Sequence, residues 1–349
     1  MKIAQVAPLH ESVPPRTYGG TERVVSYLTE ALVDAGHDVT LYASGDSQTR
    51  AKLVPVVEEG LRLAPERRDP LANHVLLMDR VLRDADRYDI IHFHTDYLHF
   101  PLVRALSIPH VTTLHGRLDL PDLPPLYQAY QDLPVISISD DQRRPLPQAG
   151  WLATVYNGLP ADLYRFGAGD GGYLAFLGRI SPEKGIERAL SIAKRAGLPL
   201  LVAAKVDAVD RDYYEQVVAP QMDHPLIEFI GEIGEAEKGA FLGEARALLF
   251  PIDWPEPFGL VMTEAMACGT PVIAWRRGSV PEVIEEGRSG FVVDGIEAAV
   301  AALQRLDELD RRECRRAFEE RFTAARMAED YLAAYRAALA RRSQPRLVG

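Results

Sequence analysis

Short apolar runs recur along the chain with little polar–apolar alternation. Those at Lys2–Leu9, Val39–Ala43, Ile90–Phe93, Val111–Leu114, Val135–Ser139 and Ala153–Tyr156 predict parallel strands buried on both faces. Between the first two, apolar residues at 24, 25, 28, 31, 32 and 35 follow a helical period and predict a helix over Thr21–Ala35. Thr21 reads as its N-cap and Gly36 as the glycine that closes it. A second helical segment lies around Leu71–Asp86. A glycine-rich stretch, Leu159–Gly172, reads as a linker. The alternation then resumes. Strands are predicted at Tyr173–Leu177, Leu200–Ala203, Ile227–Ile230, Ala247–Phe250, Val272–Trp275 and Gly290–Val293. Helices are predicted at Gly185–Arg195, Arg211–Ala219, Phe258–Ala267, Ile296–Leu306 and Arg311–Leu339, and Arg341–Gly349 reads as a frayed tail. Two runs of strand–helix–strand imply an α/β chain with two doubly wound parallel-sheet domains, over residues 1–165 and 166–325, followed by a C-terminal segment over 326–349.

The length of 349 residues suits two domains of roughly 150 each. No apolar run approaches the roughly 18 residues of a membrane span, and with Met1-Lys2-Ile3-Ala4 leading straight into a predicted strand no signal peptide is expected. Cys268 and Cys314 offer neither a disulfide framework nor a metal spacing. A cytoplasmic protein is therefore expected. The net charge is −11 and neither half is basic, which argues against nucleic acid as a partner and leaves at most peripheral membrane contact. The pairs Arg67–Arg68 and Arg143–Arg144 read as solvated surface.

Three stretches carry candidate chemistry. In Pro251–Val272 a Pro-rich loop leads into a helix, with Pro257 at or just before its first position and Gly269 and Pro271 at its end. The N–H groups of Phe258, Gly259 and Leu260 would then face an anion or hydroxyl beyond a parallel strand, bracketed by Glu256 and Glu264. The second stretch is Gly178-Arg179-Ile180-Ser181-Pro182-Glu183-Lys184-Gly185. A forked Arg179 and a mobile Lys184 suit a diphosphate; a helix-capping salt bridge is the other reading. The third is Gly19-Gly20 before a helix, which suits close approach of a phosphate or is a tight turn only. It lacks the dinucleotide-binding glycine spacing.

Single residues at strand ends are more ambiguous. His115 follows a strand and on position alone reads as structural. His92 and His94 have the spacing of a metal pair, but with no third ligand nearby in sequence a core or strand-end role is the better reading. Asp96 and His99 could line an acceptor pocket. Asp84-Ala85-Asp86 and Asp210-Arg211-Asp212 lie in or beside charged helices and read as solvated faces, with no metal expected.

Glu256-Pro257-Phe258-Gly259, followed by Glu264-Ala265-Met266-Ala267, Gly269 and Pro271-Val272, resembles the Glu-x7-Glu signature of retaining GT-B glycosyltransferases, most closely of the family 4 type. Gly178-Arg179-x4-Lys184-Gly185 resembles that family's diphosphate clamp, and Asn157-Gly158 its turn before the interdomain linker. The resemblance implies two Rossmann-like domains with the active site in the cleft between them, and a final helix returning to the first domain. It implies transfer of a hexosyl group from a UDP- or GDP-sugar to a hydroxyl of a sugar, glycan, lipid-linked or small-molecule acceptor, with retention and without a metal or other cofactor. His115 would lie near the reacting sugar, and Gly19 and Gly20 against the diphosphate with Arg179 and Lys184. Ile230, Gly231 and Ile233 would lie against the base. Glu256 would orient the donor sugar, Glu264 would hold ribose hydroxyls, and Phe258, Gly259 and Leu260 would offer the helix end. The chain departs from the family at Ala204-Lys205-Val206-Asp207, where many members carry a glycine-rich turn; Lys205 is either a ligand contact or a surface substitution. Loops 10–18, 44–60 and 116–130, expected to meet the acceptor, carry no readable code. An epimerase or sugar phosphorylase on the same scaffold, or a non-catalytic nucleotide-sugar-binding protein, are the alternatives.

Overall fold

The computed structural model describes residues 1–16, 19–62, 64 and 68–343. Thr17, Tyr18, Arg67 and the terminal segment 344–349 lie outside the described residues, and with them part of the acceptor-loop, basic-pair and frayed-tail readings. The chain forms two compact units. One comprises Met1–Pro160 and the segment from Ala324 on, the other Ala161–Thr323.

The first unit holds β1 (Lys2–Val6), α1 (Gly20–Asp34), β2 (Asp38–Ser44), β3 (Lys52–Val57), α2 (Pro70–Arg83), β4 (Ile90–Phe93), α3 (Phe100–Leu106), β5 (His110–Thr113), α4 (Leu123–Ala129), β6 (Val135–Ser137) and β7 (Trp151–Thr154). The strands form one parallel sheet in the order β3-β2-β1-β4-β5-β6-β7. The order reverses between β1 and β4, and a ligand crevice is expected beyond the strand ends at such a switch point. Ala4, Val6, Tyr42, Ile91, Phe93 and Val135 fill its main core. β3 had no clear signal in the sequence. It is an edge strand with Pro55 inside it and a mostly part-exposed pattern, so it lacks the continuous apolar run of a central strand. Thr21 is not the N-cap of α1. Gly19 holds the cap position without a side-chain bond, and Thr21 is already helical.

The second unit holds β8 (Leu174–Arg179), α5 (Ile186–Ala196), β9 (Leu200–Lys205), then α6 (Arg211–Tyr213) and α7 (Ala219–Met222) joined by a wider helical turn over Tyr214–Val218. β10 (Ile227–Gly231), α8 (Glu235–Gly243), β11 (Ala247–Phe250), α9 (Leu260–Ala267), β12 (Val272–Trp275), α10 (Val280–Val283), β13 (Gly290–Val293), α11 (Ile296–Leu303) and α12 (Arg311–Arg321) follow. Its sheet is parallel, in the order β10-β9-β8-β11-β12-β13. Leu174, Phe176, Leu200, Val202, Leu249 and Ile273 lie at the centre of its core.

The glycine-rich stretch read as a linker is packed onto the second unit instead. Gly167, Gly169 and Gly171 donate to the carbonyls of Cys268, Gly243 and Glu244, and Arg311 reaches the carbonyls of Gly167, Gly243 and Ala245. A Cβ on Gly167 would stand 2.1 Å from the Gly243 oxygen, so glycine serves close approach there. The helix expected over Arg311–Leu339 is two helices. α12 ends where Phe322 donates to Phe318, and α13 (Ala324–Ser343) begins where Ala324 donates to Leu159. α13 packs on α1, β5 and β7 of the first unit. No helix among the described residues is long and apolar enough to cross a membrane.

Candidate active site

In the second unit the ends of the neighbouring strands β8 and β11 bring two of the sequence motifs together. β8 ends at Arg179, a single turn over Pro182–Lys184 follows, and Gly185 takes a left-handed φ of 70°. A Cβ on Gly185 would lie 2.0 Å from the Pro251 oxygen. The β8 turn therefore sits directly on the loop after β11. Asp253 N–H donates to the Glu183 carbonyl at 2.8 Å, and Arg188 reaches the Pro251 and Ile252 oxygens and the Asp253 carboxylate.

Across this junction Lys184 Nζ meets Glu256 Oε2 at 2.5 Å, and their side chains are only 16% and 11% exposed. Trp254 Nε1 donates to the same oxygen at 3.0 Å, and Lys184 Nζ stands 5.0 Å from the centre of the Trp254 ring. The Glu256 backbone is gripped from behind. Ser279 N–H donates to its carbonyl at 3.0 Å, and a Cβ on Gly278 (φ 52°) would lie 2.4 Å from both Glu256 N and O. Arg179 is held by Glu183 at 3.2 Å and Asp207 at 3.4 Å, while Lys205 meets the other Asp207 oxygen at 2.9 Å. Burial pushes the Asp207 carboxyl up, but the hydrogen bonds from Lys205 and Arg179 outweigh it and hold it below its ordinary value. Each cation of the expected clamp thus has a carboxylate beside it, and Lys205 belongs to the same network.

α9 starts later than expected. Gly259, at a left-handed φ of 75°, is its cap, and Leu260 is its first residue. Phe258 lies before the helix with its ring buried; its carbonyl accepts from Ser279 Oγ at 2.9 Å. Pro257 therefore does not open the helix, because the left-handed turn at Gly259 intervenes. Glu264 on α9 is buried and accepts from Lys238 Nζ at 2.8 Å. Lys238, on α8, also pairs with Glu235 at 3.5 Å, and Glu235 accepts from the Tyr164 hydroxyl. Sequence reading missed Lys238. Its one local trace is the i,i+3 spacing from Glu235, which any exposed helix can show. β10 is irregular between Phe229 and Gly231, leaving Ile230 exposed and Gly231 at φ 78°, with Ile233 half-buried beyond.

In the first unit Gly20 is the first residue of α1, and the position of its missing Cβ faces open space; a Cβ on Gly19 would strike Pro15 at 2.8 Å. On and just beyond the ends of β1, β4 and β5, and on α13, lies a connected set of polar side chains that sequence reading did not join. His115 Nε2 is 2.8 Å from His94 Nδ1, and His94 Nε2 is 2.8 Å from Gln5 Oε1. Gln5 Nε2 donates to the Tyr335 hydroxyl at 3.0 Å, which is 2.8 Å from His92 Nδ1. His92 Nε2 lies 2.7 Å from Thr113 Oγ1, itself 3.0 Å from the Tyr331 hydroxyl. Burial lowers the pKa of His115 to about 4 and pushes those of His92 and His94 well below 6.5, so all three are neutral.

Other single-residue readings change. His99 is fully buried, stacked on Phe93 with Nε2 at 2.7 Å from Thr112 Oγ1, so it cannot line a pocket. Asp96 is exposed after β4 at a left-handed φ of 50°. Asp84 is no solvated face: it is buried, accepts from Tyr42 at 3.0 Å and pairs with Arg80 and Arg87. Arg143 leaves the surface to donate to Ser137 Oγ and lie over Trp151.

Comparison with known proteins follows the division into units. Residues 18–158 match the family model Glycosyltransferase Family 4, and residues 167–322 match Glycosyl transferases group 1. Glycogen synthase of Mycobacterium tuberculosis is 27% identical over 96% of this chain and 95% of its own length. Among solved structures, a glycosyltransferase involved in avilamycin A biosynthesis is 26% identical with a TM-score of 0.75, covering 97% of this chain and 98% of its own. An Anabaena protein, HepE, solved in complex with UDP, shares the fold with a TM-score of 0.72 at 19% identity, over 95% of this chain and 99% of its own.

Proposed function

The chain being a glycosyltransferase of the GT-B fold and family 4 type, we propose that it moves a hexosyl group from a nucleoside-diphosphate sugar to an acceptor hydroxyl, with retention and without a metal ion. The observation that carries this reading is the Lys184–Glu256 pair, which joins the Gly-Arg-x4-Lys-Gly turn and the Glu-x7-Glu stretch in one cluster at the ends of β8 and β11. As the anomeric bond breaks, charge accumulates on the leaving diphosphate. Arg179, Lys184 and the backbone N–H groups at Gly259 and Leu260 supply fixed positive charge and donors for it. Removing one such donor costs about 3 kcal/mol of transition-state stabilisation. The incoming diphosphate takes over cations now held by Glu183, Asp207 and Glu256, and this frees the Glu256 carboxylate to accept from donor-sugar hydroxyls. Glu264 accepts from the ribose, with Lys238 beside it limiting the charge of the site. Ile230, Gly231 and Ile233 meet the base, for which exposed Ile230 offers an apolar surface. Gly19, Gly20 and His115 of the first unit are assigned to the diphosphate and the reacting sugar on the family resemblance. The UDP complex of HepE supports a nucleotide donor for this chain.

A thermal-shift and hydrolysis screen against UDP-, GDP- and ADP-sugars, each with EDTA and with Mn²⁺, tests the reading. Stabilisation by one donor, insensitive to EDTA and lost in Arg179→Ala, is expected. The anomeric configuration of the product, read by proton NMR, should match the donor. A response to inorganic phosphate and sugar phosphates alone would replace this reading with a phosphorylase.

A further inference from the structure

We propose that Gln5 and Tyr335 are positioning residues that set the tautomer of His115, acting through His94, so that the outward ring nitrogen of His115 is a hydrogen-bond acceptor. The polar chain of the first unit places its protons one at a time. The Gln5 Oε1 atom can only accept, so His94 Nε2, 2.8 Å away, carries the proton of that bond. A neutral imidazole has one N–H, so His94 Nδ1 is then a bare lone pair. His115 Nε2, 2.8 Å from it, must donate, which leaves His115 Nδ1 unprotonated. Among the described residues His115 Nδ1 makes no hydrogen bond, and the ring is half-buried.

The other end of the chain is matched to that Gln5 orientation. Its Nε2 donates to Tyr335, whose own proton goes on to His92 Nδ1. His92 Nε2–H then serves Thr113, and the Thr113 hydroxyl serves Tyr331. Every link has one donor and one acceptor, and the bonds all run the same way. Turning the Gln5 amide over would reverse each of them and make His115 Nδ1 a donor. Gln5, His92, His94, Thr113, Tyr331 and Tyr335 are all buried, where an unmatched donor or acceptor costs about 1–3 kcal/mol, so a single mismatched link is disfavoured and the chain holds one polarity. α13 thereby contributes the hydroxyl that orients Gln5, though it lies more than 200 residues after His115 in sequence. The consequence for the reaction rests on the assignment of His115 to the donor sugar. An acceptor nitrogen there accepts a hydrogen bond from a sugar hydroxyl and discriminates against a substituent with no hydrogen to donate.

The test is long-range ¹H–¹⁵N NMR on the full chain labelled at its histidine ring nitrogens, with His115 identified by loss of its signals in His115→Gln. The expected spectrum shows Nε2 protonated and Nδ1 bare for both His115 and His94. Tyr335→Phe removes one oxygen and should move the His115 ring toward a tautomer mixture. Its kcat should fall about tenfold with donor KM within about twofold, the size of effect that loss of an orienting partner has at other sites. Tyr173→Phe, which removes a buried hydroxyl outside this chain that donates to the Phe241 carbonyl, should leave the His115 ring unchanged. A His115 protonated on Nδ1 in the wild type overturns the proposal, as does an unmoved His115 ring in Tyr335→Phe or an equal shift in Tyr173→Phe. If the nitrogens behave as expected and no nucleotide sugar is turned over, the chain of bonds stands and the assignment of His115 to the sugar falls.

Discussion

Replacing Lys184 by methionine keeps the length of the side chain and removes its charge from beside Glu256. The pair is 2.5 Å apart and nearly buried, at 16% and 11% exposure. Breaking a buried pair from one side costs about 3–5 kcal/mol, because the partner charge is left uncompensated. Here Trp254 Nε1 still donates to the stranded carboxylate at 3.0 Å, and some solvent reaches it, so about 2 kcal/mol is the better figure. In a unit of this size that corresponds to a fall in Tm of roughly 4–8 °C. Adding Glu256→Gln removes the stranded charge. The double variant should unfold within about 1 kcal/mol of wild type, as neutral replacements of buried pairs commonly do. Turnover should follow the opposite rule. Each single variant loses about a hundredfold or more in kcat, the scale set by one lost electrostatic donor, and the double variant recovers none of it. The assays are calorimetry and donor hydrolysis on the four proteins. Recovery of activity together with stability would refute the reasoning, since the pair would then be structural alone. So would a Lys184→Met protein with wild-type Tm and wild-type kcat.

Gly278→Ala should raise donor KM and lower Tm, because the added methyl lies 2.4 Å from the Glu256 backbone and φ is 52°; an unchanged KM in a folded protein would show that the grip on Glu256 is unimportant. Gly20→Val has room in the fold and should change Tm little while weakening donor binding, as measured by calorimetric titration with the free nucleotide. Lys238→Met should weaken nucleotide binding on the order of tenfold by leaving Glu264 with unbalanced charge, whereas retained affinity would remove Lys238 from the site. His115, with a folded pKa of about 4 against 6.5 unfolded, binds its proton more readily in the unfolded chain. Between pH 6.5 and about 4 it therefore makes stability fall as pH falls, by about 1.4 kcal/mol per unit at most. His92 and His94, shifted the same way, add to this, so a Tm that is flat from pH 7 to pH 5 would contradict their buried, neutral state.

Most of the sheet architecture was legible because parallel strands buried on both faces, such as Ile90–Phe93 and Ala247–Phe250, stand out as short apolar runs between helical periods. The stretch from Glu256 to Pro271 was legible for local reasons too: Gly269 occupies a left-handed turn that few other residues tolerate. The errors have a shared cause. Gly259 allows a left-handed cap that delays α9, and no residue type alone distinguishes that from a helix already begun at Phe258. Phe322 is as apolar as any helical core residue, so the break before α13 is set by what Ala324 N–H meets, the Leu159 carbonyl. Lys238 meets Glu264 across 26 positions, and Tyr335 meets His92 across 243. Such pairings are made by topology, and a linear pattern carries no trace of them.

Because α13 completes the first unit, residues 161–323 stand as an insertion within it. During synthesis the ribosome delivers the seven strands of that unit first, then the whole of the second unit, and only then the helix that covers β5 and β7. The second unit can close on itself while the first still waits, with Gln5, His92 and Thr113 lacking their tyrosine partners. A chain cut short before residue 324 would therefore keep every strand of both sheets and still leave the older half of the nascent protein unfinished.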